Sequence, residues 1–336
     1  MQKQYLIKKI AIQLIAWISL SWIFLLTPIQ AASFDCSKAK SPFEKTICTD
    51  PEISTFDETL ANSYNNAKKM LSDEGKRILS ESQNRWLHFV NDVCFKYKND
   101  RDVNSSSSHC VELMYRGRIS DMKTAAIQIG PFMFSRIDYY FSKSDDEFRR
   151  PFQGQTSYPR IDNPLSESQK KWNAVMASKS NAEGEGWCDE GSCDVYIGFE
   201  VKSATETIIS TQRTEWMYGH GNHHGIGRAK GMTYILKPEL HLLTASDLFA
   251  PDKSWETFLT DKCYSALEIK AQGTKINRDL VEDVATDASE WYLTNKALVI
   301  YISPSEILAF GAGSTVVTIP WKELQPFLLS TAPIPR

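Results

Sequence analysis

The stretch FDCSKAKSPFEKTICTDP, Phe34 to Pro51, decides how the first part of this 336-residue chain folds. Ser41-Pro42-Phe43-Glu44 is a capping box with proline at the first helical position, which predicts a short helix from Pro42 to about Cys48. Phe43 and Ile47 share its buried face, and Asp50-Pro51 ends it in a turn. Cys36 and Cys48 flank that helix, so the two thiols hold a metal, cycle between redox states, or belong to a disulfide framework.

The compartment narrows the choice. Lys3, Lys8 and Lys9 precede an apolar run from Ile10 to Ile29, and Pro28 with Ala31-Ala32 suits a signal-peptidase site. Residues 1–32 therefore read as an export signal, and the mature chain is expected to be periplasmic or secreted, with no stable membrane insertion after cleavage. All seven cysteines lie beyond the signal, where disulfides form and persist. The sequence has no C-x-x-C and no double cysteine pair of the zinc type. Cys36, Cys48, Cys94, Cys110, Cys188 and Cys193 are expected in bridges, which leaves Cys263 as the odd thiol.

Loss of the three signal lysines takes Lys+Arg from 38 to 35 against 41 Asp+Glu, a mature net charge of −6. Residues 33–125 carry 14 acidic and 14 basic side chains, and residues 126–336 carry 27 against 21. A mildly acidic second half argues against nucleic acid and permits a basic partner.

Beyond the first helix, Leu60, Tyr64, Ala67 and Leu71 recur at helical spacing from about Asp57, and Ile78, Trp86, Phe89, Val90, Val93 and Tyr97 predict a long helix through about Lys98. Ser72-Asp73-Glu74-Gly75 is short enough to turn these two antiparallel. After the polar loop KNDRDVNSSSSH, Cys110, Leu113, Met114, Gly117 and Met122 outline a last helix. That order gathers four thiols at one end, where two bridges staple a bundle whose core is modest. Three connectivities remain open, with a lean toward Cys36–Cys94 and Cys48–Cys110.

From about Ile127 the period changes to strand-like alternation in IGPFMFSRIDYYFS. A helix opens at Ser166-Glu167-Ser168-Gln169 and carries Trp172, Val175 and Met176; strands follow at DVYIGFEVKS, TIISTQRTEWMY, AKGMTYILK, ALVIYIS and STVVTIPW, with helices at about 255–268 and 280–285. The predicted fold class is α+β: a disulfide-stapled helical bundle over 33–125, then a domain over 126–336 with an antiparallel β-sheet and a few helices.

FDCSKAKSPFEKTICTDPEISTFDETLANSYNNA, SQNRWLHFVNDVC and CVELMYRGRISDM together resemble the N-terminal domain of the LprI-type lysozyme inhibitors of bacterial envelopes. SYPRIDNP…KKWNAVM, TIISTQRTEWMYGHGNHHG, LHLLTASDLF and ALVIYISPSEILAFGAGSTVVTIPWKEL resemble the extracellular region of RsiV-type anti-sigma factors and the non-catalytic domains of PdaC-type peptidoglycan deacetylases. The first resemblance implies binding and inhibition of lysozyme. The second implies an envelope-facing binding domain, whose RsiV members are lysozyme receptors; nothing here matches their sigma-binding segment.

The expected partner is therefore lysozyme or a related muramidase, with peptidoglycan as the second candidate. A peptidoglycan-binding module without a protein target is the rival reading, and a metal-dependent deacetylase or amidase the next. His220 and His224 in WMYGHGNHHGIG have the H-x-x-x-H spacing of zinc ligands, with His223 beside them. The surrounding glycines argue against a helix, and the catalytic blocks of a deacetylase are absent, so no catalytic residue, metal or cofactor is assigned. The candidate docking loops are 99–109, with Asp100, Arg101 and Asn104, and 218–227, with Tyr218, His220, Asn222, His223 and His224. Acidic runs at 145–147 and at Asp279, Glu282, Asp283 and Asp287 read as solvated faces.

Overall fold

The computed structural model describes residues 32–97, 106–144, 151–180, 193–252, 254–271 and 273–335. The capping box forms as its residues dictate. Ser41 Oγ accepts from the Glu44 N–H at 3.1 Å, and the Glu44 carboxylate accepts from the Ser41 N–H at 2.9 Å, opening helix α1 (Pro42–Thr49). The backbone donors at Ser41 and Lys40 hold the Glu44 carboxyl below its ordinary range. Asp50-Pro51 is no turn. Asp50 closes α1 and caps α2 (Pro51–Met70), its carboxylate accepting from the N–H groups of Glu52 and Ile53, with Pro51 at the first helical position, where a missing N–H costs nothing.

Ser72 caps α3 (Asp73–Asn91), which widens into a π-helical turn over Asp92–Lys96; α4 spans Ser107–Met122. Trp86, Phe89, Val90, Val111 and Tyr115 fill the core between them. Helix α2 lies chiefly against α4, while α3 is drawn onto the sheet. Apolar side chains on α3 serve two layers: Trp86 enters the bundle core and Ile78 the core beneath the sheet.

The favoured disulfide connectivity is also corrected. Cys36 pairs with Cys48, and Cys94 with Cys110, each with Cα atoms 5.7 Å apart. Each bridge closes a short local loop, of 12 and 16 residues. Helix α1 brings Cys48 back beside Cys36, and the π-turn presents Cys94 to the start of α4. Phe43 of α1 sits 6.2 Å from Phe95, so both bridges still lie near one end of the bundle. Cys193 is disulfide-bonded, while its expected partner Cys188 lies outside the described residues. Cys263 is free and buried.

The sheet has seven strands in chain order: β1 (Ala126–Ile129), β2 (Phe132–Lys143), β3 (Phe152–Ile161), β4 (Cys193–Ala204), β5 (Ile208–Gly219), β6 (Ile226–Ile235) and β7 (His241–Leu242). All neighbours are antiparallel except β3 and β4. A parallel pair needs a crossover, and α5 (Glu167–Ser180) supplies it, with Trp172 and Met176 fully buried against Phe134. A second layer follows. Strands β8 (Trp291–Leu293), β9 (Ala297–Ile302) and β10 (Thr315–Pro320) form an antiparallel sheet packed with α7 (Ser254–Ala271) and α8 (Arg278–Thr286), after the short α6 (Ala245–Leu248). It is tied to the large sheet through Ser210 Oγ, which accepts from the Leu293 N–H at 2.7 Å, and Ser203 Oγ, which donates to the Leu293 carbonyl at 2.6 Å. Gly231 allows the Trp291 backbone to approach where any Cβ would collide with it.

Bundle and sheet join through buried charge. Arg118 of α4 reaches Asp138 of β2 at 2.6 Å, with 0% and 1% of the two side chains exposed. Arg136 bonds the same carboxylate at 2.6 Å and Asp121 at 2.9 Å. Burial alone would raise the Asp138 carboxyl, yet Arg136 and Arg118 together hold it below its ordinary value; burial wins at Asp121, which is raised. At the other end, Asp162 accepts from the N–H and hydroxyl of Ser72, at 2.6 and 2.7 Å.

Candidate functional site

Two surfaces of the described residues stand out as candidate sites. The first is a groove of about 450 Å³ in the bundle. Helix α1 gives it Phe43 and Ile47, α2 gives Leu60 and Tyr64, and α3 gives Trp86 and Leu87. Apolar residues at helical spacing must bury one face, and three helices meeting at an angle leave a cleft where those faces diverge. Leu87 remains 38% exposed at its rim. Asp57 sits at its floor, its carboxylate accepting from the Ser33 N–H at 2.7 Å and from the Tyr115 hydroxyl at 2.8 Å. Burial, then the Asp57 charge, push the Tyr115 hydroxyl far above its ordinary pKa, so it stays a neutral donor.

The second surface is the β5–β6 hairpin. His220 is buried; its ring stacks on Phe152 at 4.1 Å, and its Nε2 meets an Asp194 carboxylate oxygen at 3.2 Å. His224 is exposed, pairs through Nδ1 with the Gly225 carbonyl, and stacks on Phe310 at 4.1 Å. The H-x-x-x-H spacing converges two imidazoles only on a helix, and here the chain is a strand end and turn with Gly221 at φ +86. Among the described residues no group of three or more His, Cys, Asp or Glu side chains is placed to hold a metal. The Tyr218 hydroxyl donates to the Asn222 carbonyl at 3.1 Å, bracing the turn, while Asn222 and His223 face water.

Asp100, Arg101 and Asn104, the other sequence-derived docking residues, lie outside the described residues, as does the 145–147 acidic run. Asp279, Glu282, Asp283 and Asp287 are exposed on or just beyond α8. Sequence reasoning missed Asp57, Leu87, Tyr196 and Trp216. The alternation in DVYIGFE and TEWMYG could have flagged the last two as one face of paired strands.

The chain joins a stapled helical groove to a mixed sheet, a modular build. Residues 36–123 match the family model described as lysozyme inhibitor LprI, and residues 246–322 match one described as a protein of unknown function, DUF3298. Two solved structures are similar to the chain. A DUF3298 family member from Bacteroides fragilis NCTC 9343 is 15% identical, with 61% of this chain and 96% of that chain covered and a TM-score of 0.41. A DUF3298 family protein from Pseudomonas aeruginosa PAO1 is 12% identical, with 61% and 98% covered and the same TM-score of 0.41. Likenesses at that level carry no argument about function. No curated protein matches the chain.

Proposed function

We propose that this protein is exported and, without chemistry of its own, binds lysozyme-type muramidases and inhibits them through the helical bundle. The match of residues 36–123 to the lysozyme inhibitor family carries the reading, because those residues build the groove and contain both of its stapling disulfides. An inhibitor needs a rigid surface that occludes a cleft, and two short-loop bridges beside the groove supply rigidity. Export agrees with the oxidised cysteines. No helix among the described residues is long and apolar enough to cross a membrane.

Lysozymes of the animal type are basic, so a mature charge of −6 favours their approach more than their final affinity. The test is inhibition of such a lysozyme by the purified mature chain, titrated against ionic strength. We expect loss of muramidase activity, with an association rate that falls as salt rises. Leu87→Ala and Tyr64→Ala should each weaken inhibition by about tenfold while leaving the melting temperature within a few degrees. Full muramidase activity at a large molar excess of the chain would remove the inhibitor reading.

A further inference from the structure

The outer end of the β5–β6 hairpin carries a row of rings that the inhibitor reading does not use. Tyr196 and Trp216 are cross-strand partners on β4 and β5, with ring centroids 5.5 Å apart. Tyr218, two residues further along β5, lies 5.9 Å from Trp216 with its plane only 15° away. Tyr196, Trp216 and Phe310 are 38%, 40% and 39% exposed. The rings are also held. A Cβ on Gly225 would lie 2.5 Å from the Trp216 indole, so backbone packs directly against that ring, and Tyr218 is tied through its hydroxyl to the Asn222 carbonyl.

We propose that this row binds a glycan strand of β-linked, gluco-configured pyranoses, stacked on Trp216 and Tyr196. Such sugars carry their substituents equatorially and present axial C–H bonds on flat faces, which suit the electron-rich faces of aromatic rings. Three observations select this occupant. The hydrogen-bonding side chains on the same hairpin, Thr214, Asn222 and His223, are exposed and offer donors and acceptors to sugar hydroxyls. Arg213 and Arg228, the cations on the hairpin strands beside Trp216, are already paired with Glu215, so the surface does not present cations to nucleic-acid phosphates. Tyr196 and Trp216 together expose on the order of 150 Å². A stable protein interface needs roughly 800 Å² per partner, whereas one or two sugar rings fit the smaller area.

The experiment is a titration of the full mature chain with chitotetraose, followed by tryptophan fluorescence and calorimetry. We expect saturable binding that Trp216→Ala and Tyr196→Ala each weaken by about tenfold or more. Gly225→Ala retains every ring but displaces the indole, and it should weaken binding similarly; α-linked maltotetraose should bind less well. Three outcomes overturn the proposal, the first two being no saturation at millimolar sugar and all three variants binding like the parent chain. A third is Trp216→Ala changing the sedimentation coefficient in place of sugar affinity, which would assign the row to a second copy of the chain. Lysozyme inhibition should be unchanged in all three variants, so failure here and failure of the inhibitor reading are separately visible.

Discussion

Asp138 is the residue on which the most structure converges. Its carboxylate neutralises Arg118 and Arg136, and its backbone carbonyl accepts from Arg85 Nε at 2.8 Å. Removing one partner of a buried pair leaves the other charge uncompensated, which costs about 3–5 kcal/mol. Asp138→Asn should therefore lower the melting temperature sharply, and more than Asp279→Asn on the exposed face of α8. The sign of the pH effect follows from the direction of the shift. A carboxyl held below its ordinary value of 3.8 confers stability that is in place above that pH and lost as pH falls through the lower folded value. The gap between wild type and Asp138→Asn should narrow in thermal scans at strongly acid pH. Cys263 makes the opposite kind of residue: burial pushes its thiol up to about 12, so at pH 8 almost no thiolate exists. Thiol reagents should leave the native chain unmodified and label one cysteine after unfolding without reductant. Its isolation was legible from an odd cysteine count. The Asp138 cluster was not, because Arg118 and Asp138 are 20 residues apart on a helix and a strand whose packing no local pattern announces.

At the scale of elements, the disulfides and the helix they flank act together. In a simple loop-entropy account each short bridge contributes about 2–4 kcal/mol. Cys36→Ser with Cys48→Ser should lower bundle stability by that amount and loosen α1, seen as faster amide exchange over Pro42–Thr49. The helix itself was readable from its capping box, and so was the α5 crossover helix from the spacing of Trp172 and Met176. Other boundaries were hidden for definite reasons. Asp-Pro reads as a stop in sequence, and only the three-dimensional path shows the carboxylate turning back to cap the next helix. Strand β3 carries Gly154 and Pro159, residues that weaken a strand pattern. Gly154 is needed because Phe141 of β2 covers its position, and Pro159 sits in the pairing opposite Arg136. The hairpin histidines were conspicuous as letters, yet the chain sends one inward to Asp194 and the other outward to Phe310.

For the whole molecule, the α+β class and the order of its parts were legible from the switch in hydrophobic period near residue 127. How the parts meet was not, since that depends on charges buried at their junction. The family match stops at residue 123, whereas the core of the bundle continues into Ala125 and leans on Met133 and Tyr140 of β2. A recombinant fragment cut at that boundary would keep Arg118 and discard its counter-ion, baring the apolar strip that Tyr140 shields. Anyone expressing the module alone should expect low solubility and a broad melting curve; extending the fragment through Ile161 would return the missing carboxylate and the shielding strand in one step.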